Sequence, residues 1–246
     1  MSKTLSGKVA LVTGGSRGIG AAIARSLAEQ GADVAISYVA SADKAKAVVA
    51  DLEKTGVRAA AFQADQADPK QVAGLVASVA DRFGKLDILV NSAGVFVTAD
   101  GVNDDSAFDR QHQVNYDGVV AGIRAAGKVM GDGGRIVTIG SVIGARVGFP
   151  GLADYAATKA AVVGYSKGVA RDLASRNITV NVVQPGAIDT DMNPADGAFA
   201  PALNATIAMG RYGKPEEIAA GVAFLASPAA SYITGTVLNI DGGYTA

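Results

Sequence analysis

The chain contains no cysteine in 246 residues and only one histidine. The first absence excludes a disulfide framework, thiolate zinc sites and a cysteine nucleophile, and it fits a reducing compartment. The second leaves His112 as the sole imidazole for base chemistry. It lies in Phe108-Asp-Arg-Gln-His-Gln-Val-Asn115, a helical stretch in which nothing marks it as catalytic. Charge does not accumulate in either sign: 22 Lys and Arg stand against 23 Asp and Glu, for a net charge of −1. A chain with scattered cations and no basic face has little electrostatic grip on nucleic acid or anionic lipid. No segment approaches the roughly 18 to 20 uninterrupted apolar residues that span a bilayer. The polar start Met1-Ser-Lys-Thr-Leu-Ser-Gly lacks a signal peptide's apolar stretch. No proline-rich linker, repeat or low-complexity tract divides the chain, and no residue cluster calls for a metal. With 49% of residues hydrophobic, a core of ordinary size is available. The expectation is a single cytoplasmic domain over residues 1–246.

What the sequence does have is alternation. Short β-branched or aliphatic runs recur at Val9–Val12, Val34–Ser37, Arg58–Ala64, Leu86–Asn91, Arg135–Gly140, Thr179–Gln184 and Val237–Ile240. Between them lie Ala-rich helical patterns, among them Gly18–Gln30, Ala42–Thr55, Pro69–Phe83, Tyr155–Arg176 and Pro215–Leu225. Leu86-Asp-Ile-Leu-Val and Arg135-Ile-Val-Thr-Ile are almost continuously apolar, as strands covered on both faces are. Parallel strands need crossover helices. The pattern predicts an α/β chain with a doubly wound parallel sheet and ligand at the carboxyl ends of its strands. The long stretch of poor periodicity, about 189–211, reads as a lid over a substrate.

Thr13-Gly-Gly-Ser-Arg-Gly-Ile-Gly20 follows the first strand and opens the first helix. Glycines at 14, 18 and 20 permit a sharp turn and close approach of a diphosphate. The helix then presents free N–H groups and its positive end to the anion. Gly14-Gly-Ser-Arg-Gly18 also satisfies the nucleophile-elbow pattern G-x-S-x-G, but His112 is a poor candidate for the base that a serine hydrolase needs. No Gly-Lys-Ser/Thr follows, so a P-loop fails. After the second strand comes Ile36-Ser-Tyr-Val-Ala-Ser41, with no carboxylate before Asp43. An acidic residue there would hold the adenosine ribose and repel a 2′-phosphate. Ser37, Tyr38 and Ser41 can instead donate hydrogen bonds, and Arg17 supplies a cation, which favours NADP(H) over NAD(H).

Tyr155-Ala-Ala-Thr-Lys159 places a phenol and an ammonium at i and i+4, on one helix face. A free tyrosine titrates near pH 10. A cation about 5 Å away, at an effective dielectric near 20, is worth roughly 3 kcal/mol. That predicts a Tyr155 pKa lowered by about two units, within reach of acid–base work. Ser141 ends the fifth strand, where its hydroxyl would polarise a carbonyl.

Over nearly its whole length the chain resembles the short-chain dehydrogenase/reductase family. The motifs are Thr13-Gly-x-x-x-Gly-Ile-Gly20, Asn91-Ser-Ala-Gly94, Asn115, Ser141, Tyr155-x-x-x-Lys159 and Pro185-Gly186. Arg211-Tyr-Gly-Lys-Pro-Glu-Glu-Ile, Ser231-Tyr-Ile-Thr-Gly235 and Asp241-Gly-Gly243 resemble its 3-oxoacyl-[acyl-carrier-protein]-reductase-like branch. The resemblance implies a single-domain Rossmann fold with seven parallel strands and helices on both faces. It also implies a homotetramer and a reaction that reduces a carbonyl to an alcohol or runs in reverse. Within that reaction Tyr155 would be the proton donor and Ser141 the holder of the substrate oxygen. Lys159 would bind the nicotinamide ribose, and Asn115 would anchor a proton-relaying water. The cofactor would lie along Gly14, Ser16, Arg17, Gly18, Ile19 and Gly20. Asp65 and Gln66 would sit near its adenine, with Asn91, Ala93 and Gly94 beneath it. Ile188 and Thr190, after Pro185 and Gly186, would meet the carboxamide.

Two departures are visible. The family's Asn-Asn-Ala-Gly is Asn-Ser-Ala-Gly here. Thirteen residues separate Ser141 from Tyr155, one more than is common in the family, and the extra one falls in the loop Gly144–Gly151. A reshaped substrate wall is expected there, and Val95, Phe96, Val142, Ile143, Phe149, Leu152 and Met192 are expected to surround the carbonyl. Small ketones, β-keto esters and acyl thioesters all suit an apolar pocket of this kind. Two rival readings stand beside a carbonyl reductase: an NAD-dependent alcohol dehydrogenase, and a non-catalytic NADPH-sensing binding protein.

Overall fold

The structure is a computed structural model that describes residues 3–98 and 105–246; Met1 and Ser2 of the polar start lie outside them. Seven strands form one parallel sheet in the order β3-β2-β1-β4-β5-β6-β7. They are β1 (Val9–Val12), β2 (Asp33–Tyr38), β3 (Ala59–Gln63), β4 (Ile88–Asn91), β5 (Arg135–Ile139), β6 (Thr179–Pro185) and β7 (Val237–Ile240). Connecting them are α1 (Gly18–Glu29), α2 (Ala42–Glu53), α3 (Pro69–Phe83), α4 (Asp105–His112), α5 (Gly118–Val129), α6 (Ala153–Asp172), α7 (Ala200–Asn204) and α8 (Pro215–Ala226). The doubly wound α/β architecture expected from the alternation is the one observed.

The period-2 geometry of a strand explains why the apolar runs are unbroken. Ala10 and Val12 of β1 face one layer, where they meet Ile23 and Leu27 of α1, Leu52 of α2 and Ile218 and Val222 of α8. Val9 and Leu11 face the other, against Leu75 and Val79 of α3, Ile123 of α5 and Val162 of α6. Neither face is wet, so every position must be apolar. Each fully buried Leu or Ile contributes roughly 2 kcal/mol.

Local signals set several boundaries. The Asp68 side chain caps α3, accepting from Lys70 N at 2.8 Å and Gln71 N at 3.3 Å, with Pro69 in the first turn. Gly84 ends that helix in the left-handed region, at φ 84°, a conformation that favours glycine. At the other end of the fold, the Glu217 carboxylate reaches back to Lys214 N (2.8 Å) while Arg211 forks onto it at 2.8 and 2.9 Å. Those contacts hold the Glu217 carboxyl down at about 2 and tie the end of the 189–211 stretch to α8. That stretch contains the short α7, and a bridge from Ile188 to Gly213 closes its base.

Two features depart from the expected elements. Between α4 and α5 the helix passes through one wide turn, Gln113–Asp117, with i→i+5 bonding. Helix α6 starts at Ala153 rather than Tyr155, which puts Tyr155 in its first turn. Among the described residues no helix is long and apolar enough to cross a membrane.

Candidate active site

Strand order reverses between β1 and β4, since the chain first winds outward to β3 and then returns to the far side of β1. The loops that leave the two strands diverge there and open a crevice at the carboxyl edge of the sheet. The 14–20 loop after β1 is one wall. Gly14 has φ 65°, and a Cβ on it would lie 2.8 Å from Ala93 Cα. A Cβ on Gly20 would lie 2.4 Å from the Gly14 carbonyl oxygen. The loop is therefore as close-packed as backbone permits. No side chain caps α1 and its first turn holds no acid, so its leading N–H groups are open to an anion. This wall fits a dinucleotide's diphosphate, and Ser16, Arg17, Gly18 and Ile19 line it.

The second wall is the loop after β4. Thr13 Oγ1 accepts from the N–H groups of Ser92 (3.0 Å) and Ala93 (3.1 Å), which locks the two loops together. Asn91 is buried beneath them, with Nδ2 donating to Thr138 Oγ1 at 3.2 Å and Oδ1 left without a partner. Gly94 is packed where a Cβ would lie 3.4 Å from Asn115 Oδ1 and 3.7 Å from Lys159 Nζ. From β6, Pro185 leads into Gly186, where a Cβ would lie 2.8 Å from Asp241 Cα. Ile188 is buried, and Thr190 reaches back over the first wall, its Cγ2 3.5 Å from where a Cβ on Gly18 would lie.

The residues expected to react meet beside Gly94. Ser141 follows β5, and its Oγ accepts the Ile143 N–H at 3.2 Å. That uses a lone pair and leaves the hydroxyl hydrogen free to donate. Tyr155 is hydrogen-bonded to Ser141. Lys159 is buried one turn along α6, with Nζ 5.6 Å from the Tyr155 ring and donating to Ile139 O at 3.1 Å. Asn115 sits in the wide turn, a geometry often found at functional sites. It clamps the β4 loop by accepting from Val95 N and donating to Val95 O, both at 2.9 Å. Its Nδ2 also reaches Thr158 Oγ1 at 3.3 Å. Asn115, Ser141, Tyr155 and Lys159 are thus gathered from three separate segments, the last two from α6.

Electrostatics corrects one expectation. Burial pushes the Tyr155 hydroxyl up to about 12, and the Ser141 hydrogen bond only partly opposes it. Burial likewise brings Lys159 down to about 8. The two-unit lowering expected from the lysine is not present: desolvation dominates the shift, and the ammonium is turned onto the Ile139 carbonyl.

The groups proposed for the adenosine half divide. Ser37 is buried under the glycine loop, where its Oγ accepts from Gly14 N at 3.2 Å, so it braces the loop. Tyr38 and Ser41 are partly exposed. The Asp65 carboxylate is forked by Arg110 from α4 at 2.8 and 3.0 Å, which holds it below the usual carboxylate range. Gln66 is buried, its Nε2 without a partner, and its backbone presses on Gly118, where a Cβ would lie 2.1 Å from the Gln66 oxygen. His112 is exposed and lies against Asp117 and Tyr116.

Several contributors carry no short-motif signal. Thr13 staples the loops, and Thr158 links Asn115 to the Tyr155 carbonyl at 2.8 Å. The buried Gln111 holds Val97 N at 2.7 Å. That fixes the neighbouring Phe96, whose ring stands edge-on to Tyr155 with centroids 4.8 Å apart.

A family model described as enoyl-(acyl carrier protein) reductase matches residues 14–245. The chain is 44% identical over 242 residues to the cyclic-di-GMP-binding biofilm dispersal mediator protein of Escherichia coli (strain K12), with 98% of each chain covered. It is equally, 44%, identical over 242 residues to the 3-oxoacyl-[acyl-carrier-protein] reductase FabG of Staphylococcus aureus (strain Mu50), covering 96% of this chain and 97% of that one. Among solved structures, a short chain dehydrogenase from Burkholderia cenocepacia J2315 in complex with NADP matches with a TM-score of 0.96 and 53% identity, over 99% of this chain and 100% of that one. The chain belongs to the short-chain dehydrogenase/reductase family, within its 3-oxoacyl-[acyl-carrier-protein]-reductase-like branch.

Proposed function

We propose that the protein is an NADP(H)-dependent reductase that converts a ketone, β-keto ester or 3-oxoacyl thioester carbonyl to an alcohol, with Tyr155 as proton donor. The observation that carries the reading is the meeting of Ser141, Tyr155 and Lys159 beside Gly94, next to the close-packed glycine loop. The 44% identity to a 3-oxoacyl reductase and the 53% identity to a dehydrogenase solved with NADP support it. A bound nicotinamide supplies or accepts hydride; the chain positions and protonates.

The residues divide the work. The loop from Gly14 to Gly20, with Ala93, Gly94, Ile188 and Thr190, would hold the cofactor. Ser141, already accepting from Ile143 N, directs its hydroxyl hydrogen to the substrate oxygen. Tyr155 donates to the same oxygen and releases its proton as charge develops there. A hydroxyl held up at about 12 stays protonated at working pH, which suits a donor in the reducing direction. Lys159 would bind the nicotinamide ribose and return the proton to Tyr155, with Asn115, beside Gly94, organising the path. Phe96, Phe149, Met192 and Phe199 are exposed large apolar side chains of the chain. Phe96 against Tyr155 and the lid residues Met192 and Phe199 favour a substrate whose remaining part is apolar.

The test is NADPH consumption with acetoacetyl-CoA and a simple β-keto ester, with NADH alongside. Turnover favouring NADPH is expected, and turnover favouring NADH would point to the NAD-dependent alcohol dehydrogenase reading. Tyr155→Phe is expected to keep NADPH binding and lose nearly all turnover; retained turnover would remove Tyr155 from its role.

The likeness to a cyclic-di-GMP-binding mediator supports a second reading, a nucleotide-binding protein without turnover. Calorimetry with cyclic-di-GMP separates the two: binding, coupled with no turnover on a broad carbonyl panel, would favour it. The homotetramer implied by the family finds support in the exposed Phe224 of α8 and the fully exposed Tyr232. Light scattering of the purified chain reads that state directly.

A further inference from the structure

Two cations of the adenosine side converge on one carboxylate of the lid. Arg17, just before α1, places Nη1 3.5 Å from Asp191 Oδ2, and Lys44, in the first turn of α2, places Nζ 3.3 Å from the same oxygen. Among the described residues neither cation has another ion-pair partner, since the neighbouring Asp43 pairs with Lys46 instead. All three side chains are more than half exposed. Ser41 opens α2 without making a capping bond, so the leading N–H groups of that helix are free as well. Asp191 follows Thr190, the residue that leans over Gly18, so the clasp spans the crevice from its glycine wall to the start of the lid.

The cluster lies just past the carboxyl end of β2, where a doubly wound sheet receives the adenosine ribose. A carboxylate brings one negative charge. A 2′-phosphate brings between about one and a half and two, with three acceptor oxygens. Two cations held together by the weaker anion are therefore arranged to exchange it for the stronger one.

Resting on the NADP(H) reading above, we propose that Lys44 joins Arg17 as the seat of the cofactor's 2′-phosphate and that Asp191 is an internal stand-in for it. In the empty chain Asp191 keeps the two cations together and pins the start of the lid. A 2′-phosphate displaces it and frees the lid, whereas an unphosphorylated ribose leaves the clasp shut. The phosphate thus acts both as a binding determinant and as the signal that releases the substrate cover. Reciprocity requires that whatever opens the lid also raises affinity for the phosphorylated cofactor.

Dissociation constants for NADPH and NADH, read from cofactor fluorescence without substrate, test this on the whole chain. Lys44→Gln is expected to weaken NADPH by about tenfold, the loss of one charge-assisted contact, and NADH by less than about twofold. Asp191→Asn is expected to tighten NADPH by about two- to fivefold, the scale of exposed ion pairs, to leave NADH unchanged, and to lose this effect in half-molar salt, the order at which screening shortens to a contact distance. A Lys44→Gln variant that loses both cofactors equally, or an Asp191→Asn variant that binds both more weakly, would overturn the assignment and make the clasp a general closure. A wild-type chain that does not prefer NADPH would instead bring down the cofactor reading on which it rests.

Discussion

At the scale of single residues, desolvation and charge compete at Lys159. Its folded pKa, about 8, lies below the ordinary 10.5. Between those values the unfolded chain binds more protons than the folded one, so the stability tied to this group rises with pH from about 8 to 10.5. Below pH 8 the buried ammonium opposes folding by about 3 kcal/mol. Lys159→Met is accordingly expected to gain most relative to wild type at pH 7, with the gain shrinking toward pH 9.5. Urea midpoints across that range measure it, and a difference independent of pH would show that the cost is not electrostatic. Tyr155 moves the other way, from 10 up to about 12. Its contribution is complete below pH 10 and is lost as the pH climbs through 12, so the Lys159 window is best read below pH 10. The Tyr155–Lys159 spacing is plain in the sequence because a helix places i and i+4 together. The environment that reverses the Tyr155 shift is not, since burial comes from segments remote in the chain.

At the scale of elements, helix ends and loop contacts are local and therefore legible. Asp68-Pro69 before an apolar-periodic run signals the start of α3, and the observed cap bonds to Lys70 and Gln71 supply the reason. Asp68→Ala is expected to cost about 1 kcal/mol, seen as a lower urea midpoint with NADPH affinity unchanged. The wide turn at Gln113–Asp117 is a different matter. It is stabilised by what Asn115 meets, the Val95 backbone and Thr158, and no residue type in Gln-Val-Asn-Tyr-Asp announces an extra residue in a helical turn. Ser37 shows the same limit: a polar residue at a strand end reads as a ligand contact, yet its hydroxyl turns inward to the Gly14 N–H.

At the scale of the whole molecule, three distant segments meet beside the proposed substrate site. Val142 from the Ser141 loop, Ile207 from the end of the 189–211 stretch and Tyr244 near the C-terminus form a small separate core. Arg146 lies over the Tyr244 ring, 5.0 Å from its centroid, and donates to the Tyr244 carbonyl. A Cβ on Gly148 would strike the Tyr244 hydroxyl. The loop carrying the extra residue is thus strapped to the C-terminal turn, which Asp241 organises by accepting from Gly243 N and Thr245 N, both at 3.0 Å. Tyr244→Ala is expected to destabilise the chain by about 3 kcal/mol. It should also raise KM for the carbonyl substrate while leaving the dissociation constant for NADPH alone. A melting curve, a KM and a binding isotherm read the three effects; an equal rise in the NADPH constant would mean that the strap supports the cofactor side too.

The sequence by itself determined the doubly wound sheet, the glycine cradle and the Tyr155–Lys159 face, because strand period, helix period and the absence of a Cβ act within a few residues. It also carried Ser141 and Asn115, through their place in an ordered set of family motifs. Tertiary structure alone decided that Lys44 and Arg17 meet on Asp191, that Arg110 pairs with Asp65, and that Tyr244 braces the loop after Ser141. Those contacts join positions between 45 and 174 residues apart. Their geometry depends on how the crossovers stack, and no local preference of the chain encodes a distance across the crevice.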